Sequence, residues 1–291
     1  MCDYTMIGCG DIGFRVAKEL IKQKKQVRAT IHFEEGAVVP QSVGIRTIIA
    51  NFDYQEDVPD FSVHGQNIFY SMAPQGGGSS DYRMLNFCRK LSVENCPSRI
   101  VYLSTSGVYG DCGDDLVTEE TPVNPQTSRA KRRVSAENQL REQSEKLDFD
   151  LIILRVTGIY GPGRLPISQL KKGHEVLSPE EAPRTNRIHS VDLVQICLAA
   201  MEKGENGDIF NVCDNEESSM SHYFMAVAKL YDLPQPKQLS WAEAEKVMNP
   251  LTFSFLQESR RMSNRKMIEK LGIKLLYPTL EKGLPASRAV L

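Results

Sequence analysis

With 291 residues, 41% of them hydrophobic, and 35 lysines and arginines against 37 aspartates and glutamates, the chain has the apolar mass for a full buried core and a net charge of only −2. Charge so nearly balanced excludes a whole-molecule field that would draw the protein to nucleic acid or an anionic membrane, and no apolar run approaches the roughly 18 to 20 residues that span a bilayer. The seven cysteines are scattered, with no metal-ligand spacing, and Met1 to Thr5 does not begin a signal peptide, so reduced thiols, no structural metal and a cytoplasmic location are expected.

An apolar strand at Tyr4 to Ile7 runs into a glycine turn, after which Ile12, Val16, Ala17, Leu20 and Ile21 recur at helical spacing and Val27 to Ile31 reads as a second strand. Within this βαβ unit Gly8, Gly10 and Gly13 have GxGxxG spacing at the strand-to-helix junction. There Gly8 permits the tight turn, Gly10 lets backbone amides approach a pyrophosphate, and Gly13 lets the helix pack on the strand. Asp11 and Ile12 open that helix and join the glycines as candidate cofactor contacts. NAD or NADP is the expected cofactor. The second strand ends at Ile31 followed by His32, without the acid that usually binds the ribose hydroxyls of NAD. Arg28 or His32 meeting a 2′-phosphate favours NADP, whereas Glu34 or Glu35 turning inward favours NAD; the balance leans slightly to NADP.

Asn67 to Met72 and Arg99 to Leu103 predict short strands, apolar on both faces as in a sheet covered by helices on two sides. Between them Met84, Leu85, Cys88 and Leu91 form one stripe, which predicts a crossover helix over Asp81 to Leu91. The loop after Ala73 and Pro74 carries Gly76, Gly77 and Gly78 just past a strand's carboxyl end, the edge where ligands lie in an open parallel sheet. Ala73 is a candidate cofactor contact, and the glycines either close over a nucleotide or form a solvated connector.

The stretch LSTSGVYGD, Leu103 to Asp111, closely resembles the strand-and-loop segment of the extended short-chain dehydrogenase/reductases, the nucleotide-sugar epimerases and dehydratases. Further matches follow in family order at Glu120 to Pro122, Pro125, LRVTGIYGPGR from Leu154, RIHSVDLV from Arg187 and DIFNVCDNE from Asp208. The resemblance implies an α/β fold, a Rossmann-type doubly wound parallel sheet with a small, discontinuous C-terminal substrate lobe. It assigns residues 1–160 to an NAD(P)-binding domain and 161–291 mostly to the substrate lobe, with segments around 187–213 returning to the Rossmann core.

In that family a serine or threonine lies beside the nicotinamide, and a Tyr-Xaa-Xaa-Xaa-Lys on the next helix supplies the acid or base. Thr105 matches the first position, with Ser104 beside it as a cofactor contact. The register of Pro125, Ser128 and Glu137 puts Arg129 at the tyrosine position and Arg133 at the lysine position. An arginine stays charged and cannot shuttle a proton as a tyrosinate does. This departure resembles the atypical subgroup often labelled nucleoside-diphosphate-sugar epimerase. The catalytic candidates are therefore Thr105, Tyr109, Arg129 and Arg133, with Arg133 also a cofactor contact and Tyr160 a further possible acid. Either Arg129 and Arg133 project into the cleft to hold a ribose, phosphate or carboxylate, or they and Arg132 form a solvated face paired with acids such as Glu137. The two tyrosines belong to motifs in which the ring usually packs under a loop, and His189 reads as structural.

Among the turn-rich residues after Tyr160, Arg164 and Arg187 are candidates to grip a substrate diphosphate, as arginines of this region do in the family. Helical spacing recurs over Tyr223 to Tyr231 and Asn264 to Leu271, the latter stopped by Gly272. Two functions follow. One is an NAD(P)-dependent epimerase/dehydratase-like oxidoreductase acting on a nucleotide-sugar or similar polar small molecule with a non-standard acid/base, which predicts an arginine-lined cavity beside Thr105. The other is a non-catalytic NAD(P)-binding redox sensor or regulatory protein, which predicts an open cleft with an exposed apolar patch. Neither needs a nucleic acid or a membrane, and the state is expected to be a monomer or homodimer.

Overall fold

The structure is a computed structural model that describes residues 3–288. Seven strands form one parallel sheet: β1 (Tyr4–Ile7), β2 (Val27–Ile31), β3 (Arg46–Ile49), β4 (Asn67–Tyr70), β5 (Arg99–Thr105), β6 (Asp150–Val156) and β7 (Ile209–Val212). Their order is β7-β6-β5-β4-β1-β2-β3, so the chain starts at the centre, builds to one edge and then returns to build the other. The reversal between β1 and β4 leaves a crevice at the strands' carboxyl ends, where open α/β sheets take ligands.

Each central strand feeds two cores because successive side chains alternate. Met6, Phe69 and Leu154 point to the face covered by α1 (Asp11–Lys22) and α4 (Ser190–Lys203). Ile7, Tyr70 and Ile153 point to the face covered by α2 (Tyr82–Cys88) and α3 (Ser128–Leu147). Helix α3 starts on a Thr127 side-chain cap and ends at Asp148 in the left-handed region, φ 61°. It buries little bulk: Ala130, Ala136, Glu137, Leu140 and Ser144 form its inward stripe.

The smaller lobe packs around Tyr160, with Tyr223, Phe224 and Val227 of α5 (Met220–Leu230) and Leu280 and Leu284 of the last helix. The hydroxyl of Tyr160 donates to Thr279 O at 3.3 Å, and Gly283 has no side chain because a Cβ there would lie 2.1 Å from that hydroxyl. The chain returns to the sheet through residues 187–189, which pair with 158–160, and then α4 and β7. The return extends further than the motifs imply, since Met267 and Leu271 of the helix Arg265–Leu271 also join the main core before Gly272, φ 67°, ends that helix. The Asp192 carboxylate does more than support its own helix: it accepts from the N–H groups of Leu276 and Tyr277 at 2.8 and 2.9 Å, tying the last segment to α4. No helix among the described residues is long and apolar enough to cross a membrane.

Candidate functional site

The glycine turn is built from three differently constrained positions. Gly8 has φ +87°, and a Cβ there would lie 2.9 Å from Met72 N; one on Gly13 would lie 2.5 Å from Gly8 O and 2.8 Å from Ser71 Oγ. A Cβ on Gly10 meets nothing within 4 Å. The first and third glycines are thus demanded by the protein's own packing, whereas the space beside the second is free. Two side chains outside the motif fix the turn: Thr30 Oγ1 accepts from Gly8 N–H at 3.0 Å, and Ser71 Oγ donates to Gly8 O at 2.8 Å. No side chain caps the first turn of α1.

At this edge lies a cavity of about 410 Å³ walled by Gly10, Ile31, His32, Glu35, Ala50 and Arg83, among others. His32 and Glu35 therefore both face the place expected for an adenosine ribose. Arg28 does not: it lies near the opposite end of β2, donating to Thr5 Oγ1 and Gln66 Oε1 at 3.2 and 3.1 Å. Arg83 is held by Asp53 through contacts of 2.6 and 2.9 Å and also donates to the Ala73 carbonyl at 3.0 Å.

Asp11 and Arg164, expected on the cofactor and the substrate respectively, pair with each other. Arg15 completes the arrangement, reaching Asp11 at 2.6 Å and Pro162 O at 3.0 Å, so the helix start is strapped to the loop after Tyr160. Burial raises the Asp11 pKa, but the two arginines more than offset this and hold it below the ordinary value.

The three arginines in the first turns of α3 diverge. Arg129 stacks 3.6 Å from the centre of the Phe255 ring and donates to Ser254 Oγ at 3.3 Å, both residues on α6 (Pro250–Leu256). Arg132 donates to Gly77 O and Gly78 O at 3.0 and 2.8 Å, so the glycine loop is fastened to α3, with both glycines at positive φ. Arg133, one turn further along, meets β5, where Tyr102 Oη and Leu103 O accept from it at 3.1 and 3.0 Å. Glu137 does not pair with these arginines either. It is fully buried and accepts from Arg155 at 2.8 and 3.2 Å, Arg141 at 3.0 Å and Ser104 Oγ at 2.7 Å.

Strand alternation separates Ser104 from Thr105. Ser104 turns to Glu137 and away from the cleft, while Thr105 lies in the cleft wall, its Oγ1 accepting from Gly107 N–H at 3.3 Å. Tyr109 is likewise turned inward: its hydroxyl donates to Asn211 Oδ1 at 2.8 Å, and burial pushes its pKa up. His189 packs between Tyr160 and Tyr277, with ring centroids 5.1 and 4.1 Å away, and burial lowers its pKa to about 4.

Beside Thr105 is a cavity of about 240 Å³ whose wall includes Arg129, Thr185, Arg187, Glu258 and Arg260. Three guanidiniums face one carboxylate, which suits an anionic ligand. Arg187 is 6% exposed, stacks 3.9 Å from the centre of the Tyr223 ring and donates to Met220 Sδ at 3.4 Å. Arg187 Nε, Thr185 Oγ1 and Glu258 Oε1 are buried with no partner among the described residues. A buried polar group left unmatched costs about 1–3 kcal/mol, so these three atoms on cavity-lining residues carry a cost that a hydrogen-bond partner would offset. Glu258, Arg260 and Thr185 carry no sequence signal; only the fold brings them to Arg129.

Behind Arg187, Asp214 donates its N–H to Arg187 O at 2.6 Å, and burial pushes its carboxyl from the usual 3.8 up to about 8. The folded state thus binds this proton more tightly than the unfolded chain. The associated stability is fully present below pH 4 or so, is lost as pH rises through the window to about 8, and changes little beyond it. Asp214→Asn, which keeps the acceptor for Glu216 N–H, is expected to flatten that decline. Melting temperatures of parent and variant at pH 5 and pH 8 check this; a variant as pH-sensitive as the parent sinks the assignment.

With this geometry in hand, comparison with known proteins is informative. Residues 78–213 match the NAD dependent epimerase/dehydratase family. That stretch of the chain is similar to the family's domain. Mouse dTDP-D-glucose 4,6-dehydratase is 28% identical over 130 residues, 42% of this chain but only 37% of that enzyme, so the match spans little more than a third of the relative's length. Protein YeeZ of Escherichia coli K12 is 23% identical over 80% of this chain and 85% of its own. Among solved structures, a functionally unknown conserved protein from Silicibacter pomeroyi is 28% identical, with 99% of each chain covered and a TM-score of 0.84. The dTDP-glucose 4,6-dehydratase of Bacillus anthracis, solved in complex with NAD, has a TM-score of 0.76 at 16% identity over 99% of this chain and 95% of its own, a likeness of fold. The matched stretch includes Thr105, Arg129 and Arg187 and excludes Glu258 and Arg260.

Proposed function

We propose that the protein is an NAD(P)-dependent oxidoreductase of the epimerase/dehydratase type, acting on a nucleotide sugar or a similar polar, anionic small molecule. The observation that carries this reading is the cavity beside Thr105, with the under-partnered Arg187 in its wall, at the sheet edge that also holds the glycine turn. The free space beside Gly10 and the uncapped first turn of α1 fit a pyrophosphate, and His32 with Glu35 fits the ribose beyond it. A nicotinamide cofactor, when bound, supplies hydride transfer. His32 in place of an acid favours a 2′-phosphate, and Glu35 on the same wall favours a free ribose. Within the cavity Thr105 orients a substrate hydroxyl, Arg187 holds an anionic oxygen, and Arg129, permanently charged, binds and does not move protons. The solved relatives support the substrate class: the Thermotoga maritima UDP-glucose 4-epimerase, of the same fold, was crystallised with UDP-glucose.

One observation favours the second reading, a sensor that keeps the cleft without turnover: among the described residues no tyrosine, lysine or histidine lines the cavity. Calorimetric titration with NAD, NADH, NADP and NADPH, followed by turnover assays with UDP-glucose and dTDP-glucose, separates the two. Binding with product formation is expected; binding without turnover of any nucleotide sugar favours the sensor, and no binding overturns both. Gly10→Asp is expected to weaken the cofactor by about a hundredfold, because it sets a carboxylate against phosphate. Its melting temperature is expected to stay unchanged, since the new side chain points into open space.

A further inference from the structure

Glu258 is the one carboxylate among the described residues lining the cavity of Thr105 and Arg129. Its place is set by the backbone bonds of the two residues that follow it. Ser259 N–H donates to Asp111 Oδ1 at 2.8 Å, Cys112 N–H donates to Ser259 O at 2.9 Å, and Arg260 N–H donates to Arg184 O at 2.9 Å. Arg260 Nη1 then holds Glu258 Oε2 at 2.6 Å while also donating to Gly110 O at 2.7 Å. One carboxylate oxygen is therefore fixed, and the other, Oε1, has no partner among the described residues in a side chain only 4% exposed.

The unmatched atoms of this wall differ in kind. Glu258 Oε1 only accepts, Arg187 Nε only donates, and Thr185 Oγ1 does either. A ligand that serves all three together carries a hydroxyl donor and an anionic oxygen on one small body. At about 240 Å³ the cavity is smaller than the 300–1,000 Å³ usual for larger ligands and suits a hexose-sized group. Any nucleotide part then falls to the neighbouring cavity of about 290 Å³, which shares Met220 and Phe255 as a wall.

We propose that Glu258 accepts the hydroxyl hydrogen bond that orients the ligand in this cavity, making it a specificity-determining residue for hydroxylated anions. This rests on reading the cavity as the substrate site. Glu258 then takes over the orienting part of the absent tyrosine's task from a segment more than a hundred residues away in sequence.

The test is calorimetry on the cofactor-loaded protein with inorganic phosphate and with the 1-phosphates of glucose, galactose and mannose. A hydrogen bond to a charged acceptor is expected to make at least one hexose phosphate bind about tenfold or more tightly than phosphate. In Glu258→Gln the amide oxygen must turn to Arg260, which leaves an NH2 donor where the cavity needs an acceptor. That variant is expected to lose the hexose advantage, read as the ratio of hexose-phosphate to phosphate affinity, even where loss of the carboxylate's charge tightens phosphate itself. Glu258→Asp, which keeps the charge at shorter reach, is expected to show a reduced advantage and carries the test if the glutamine variant does not fold. An advantage that persists in both variants, or is absent from the parent, overturns the proposal. UDP-glucose measured alongside tests the wider reading separately: if it binds no better than glucose 1-phosphate, the nucleotide part of that reading fails while the role of Glu258 stands.

Discussion

Glu137→Ala is expected to destabilise the protein by about 3–5 kcal/mol, the usual result of removing one partner of a buried ion pair. Arg155, 3% exposed, would then keep its charge in the interior without its carboxylate partner, with the Tyr109 ring 4.8 Å away. Ser104 would lose its acceptor at the same time, and α3 would lose the tie that Glu137 makes to both β5 and β6. Calorimetric melting should show a fall of about 6–10 °C, taking roughly 2 °C per kcal/mol for a chain of this size. Glu137→Gln, which still accepts from Ser104, should fall less. A shift within about 2 °C for the alanine variant would mean that the cluster contributes little net stability, as some buried pairs do. The sign with pH is definite too. Burial raises the Glu137 pKa, but Arg155 and Ser104 outweigh it and hold the folded value below the ordinary one, so this stability is present at neutral pH and is lost as pH falls through that depressed value.

Gly13→Ala is expected to do what Gly10→Asp does not. The added methyl would sit 2.5 Å from Gly8 O, a backbone atom of the turn itself, so either α1 moves off β1 or the turn opens. Overpacking of this kind costs about 1–3 kcal/mol and sometimes more. Cofactor binding should fail together with the melting temperature, because the amides meant for the pyrophosphate ride on that same helix. If Gly13→Ala melts with the parent and still binds cofactor, the close packing of helix on turn is not as described.

What the sequence reveals about this protein follows the range of the interactions involved. The glycine turn, the first two strands and α1 are local, and their residue types and spacing place them within a residue or two. Strand β3 escapes, since RTII at an exposed sheet edge has neither length nor alternation to announce it. Helix α3 is legible only through its match to a family register, because its inward stripe is alanine, serine and a glutamate and gives no apolar periodicity. The same register places Arg129 correctly on the helix but says nothing of Phe255, the ring it stacks upon. Ser104 and Thr105 look interchangeable in sequence; only the pleat sends them to opposite faces. Asp11 and Arg164 were each assigned to a ligand, and a separation of 153 residues hid the fact that they meet. Glu258 and Arg260 lie outside every motif, in a stretch that reaches the cleft through backbone bonds to residues 110–112 and 184.

Two of the chain's carboxylate–arginine groups lie at different depths. The Glu137 cluster lies inside the protein, beyond the reach of dissolved ions. The Asp11, Arg15 and Arg164 strap is about one-third exposed and joins the helix start to the loop of the other lobe. Screening weakens exposed pairs within a Debye length of about 8 Å at physiological ionic strength and touches buried ones far less. Added salt therefore loosens the grip between the lobes across the cleft while leaving the sheet as firm as before, so how readily a ligand enters and how well the protein holds together answer to different features of the surrounding solution.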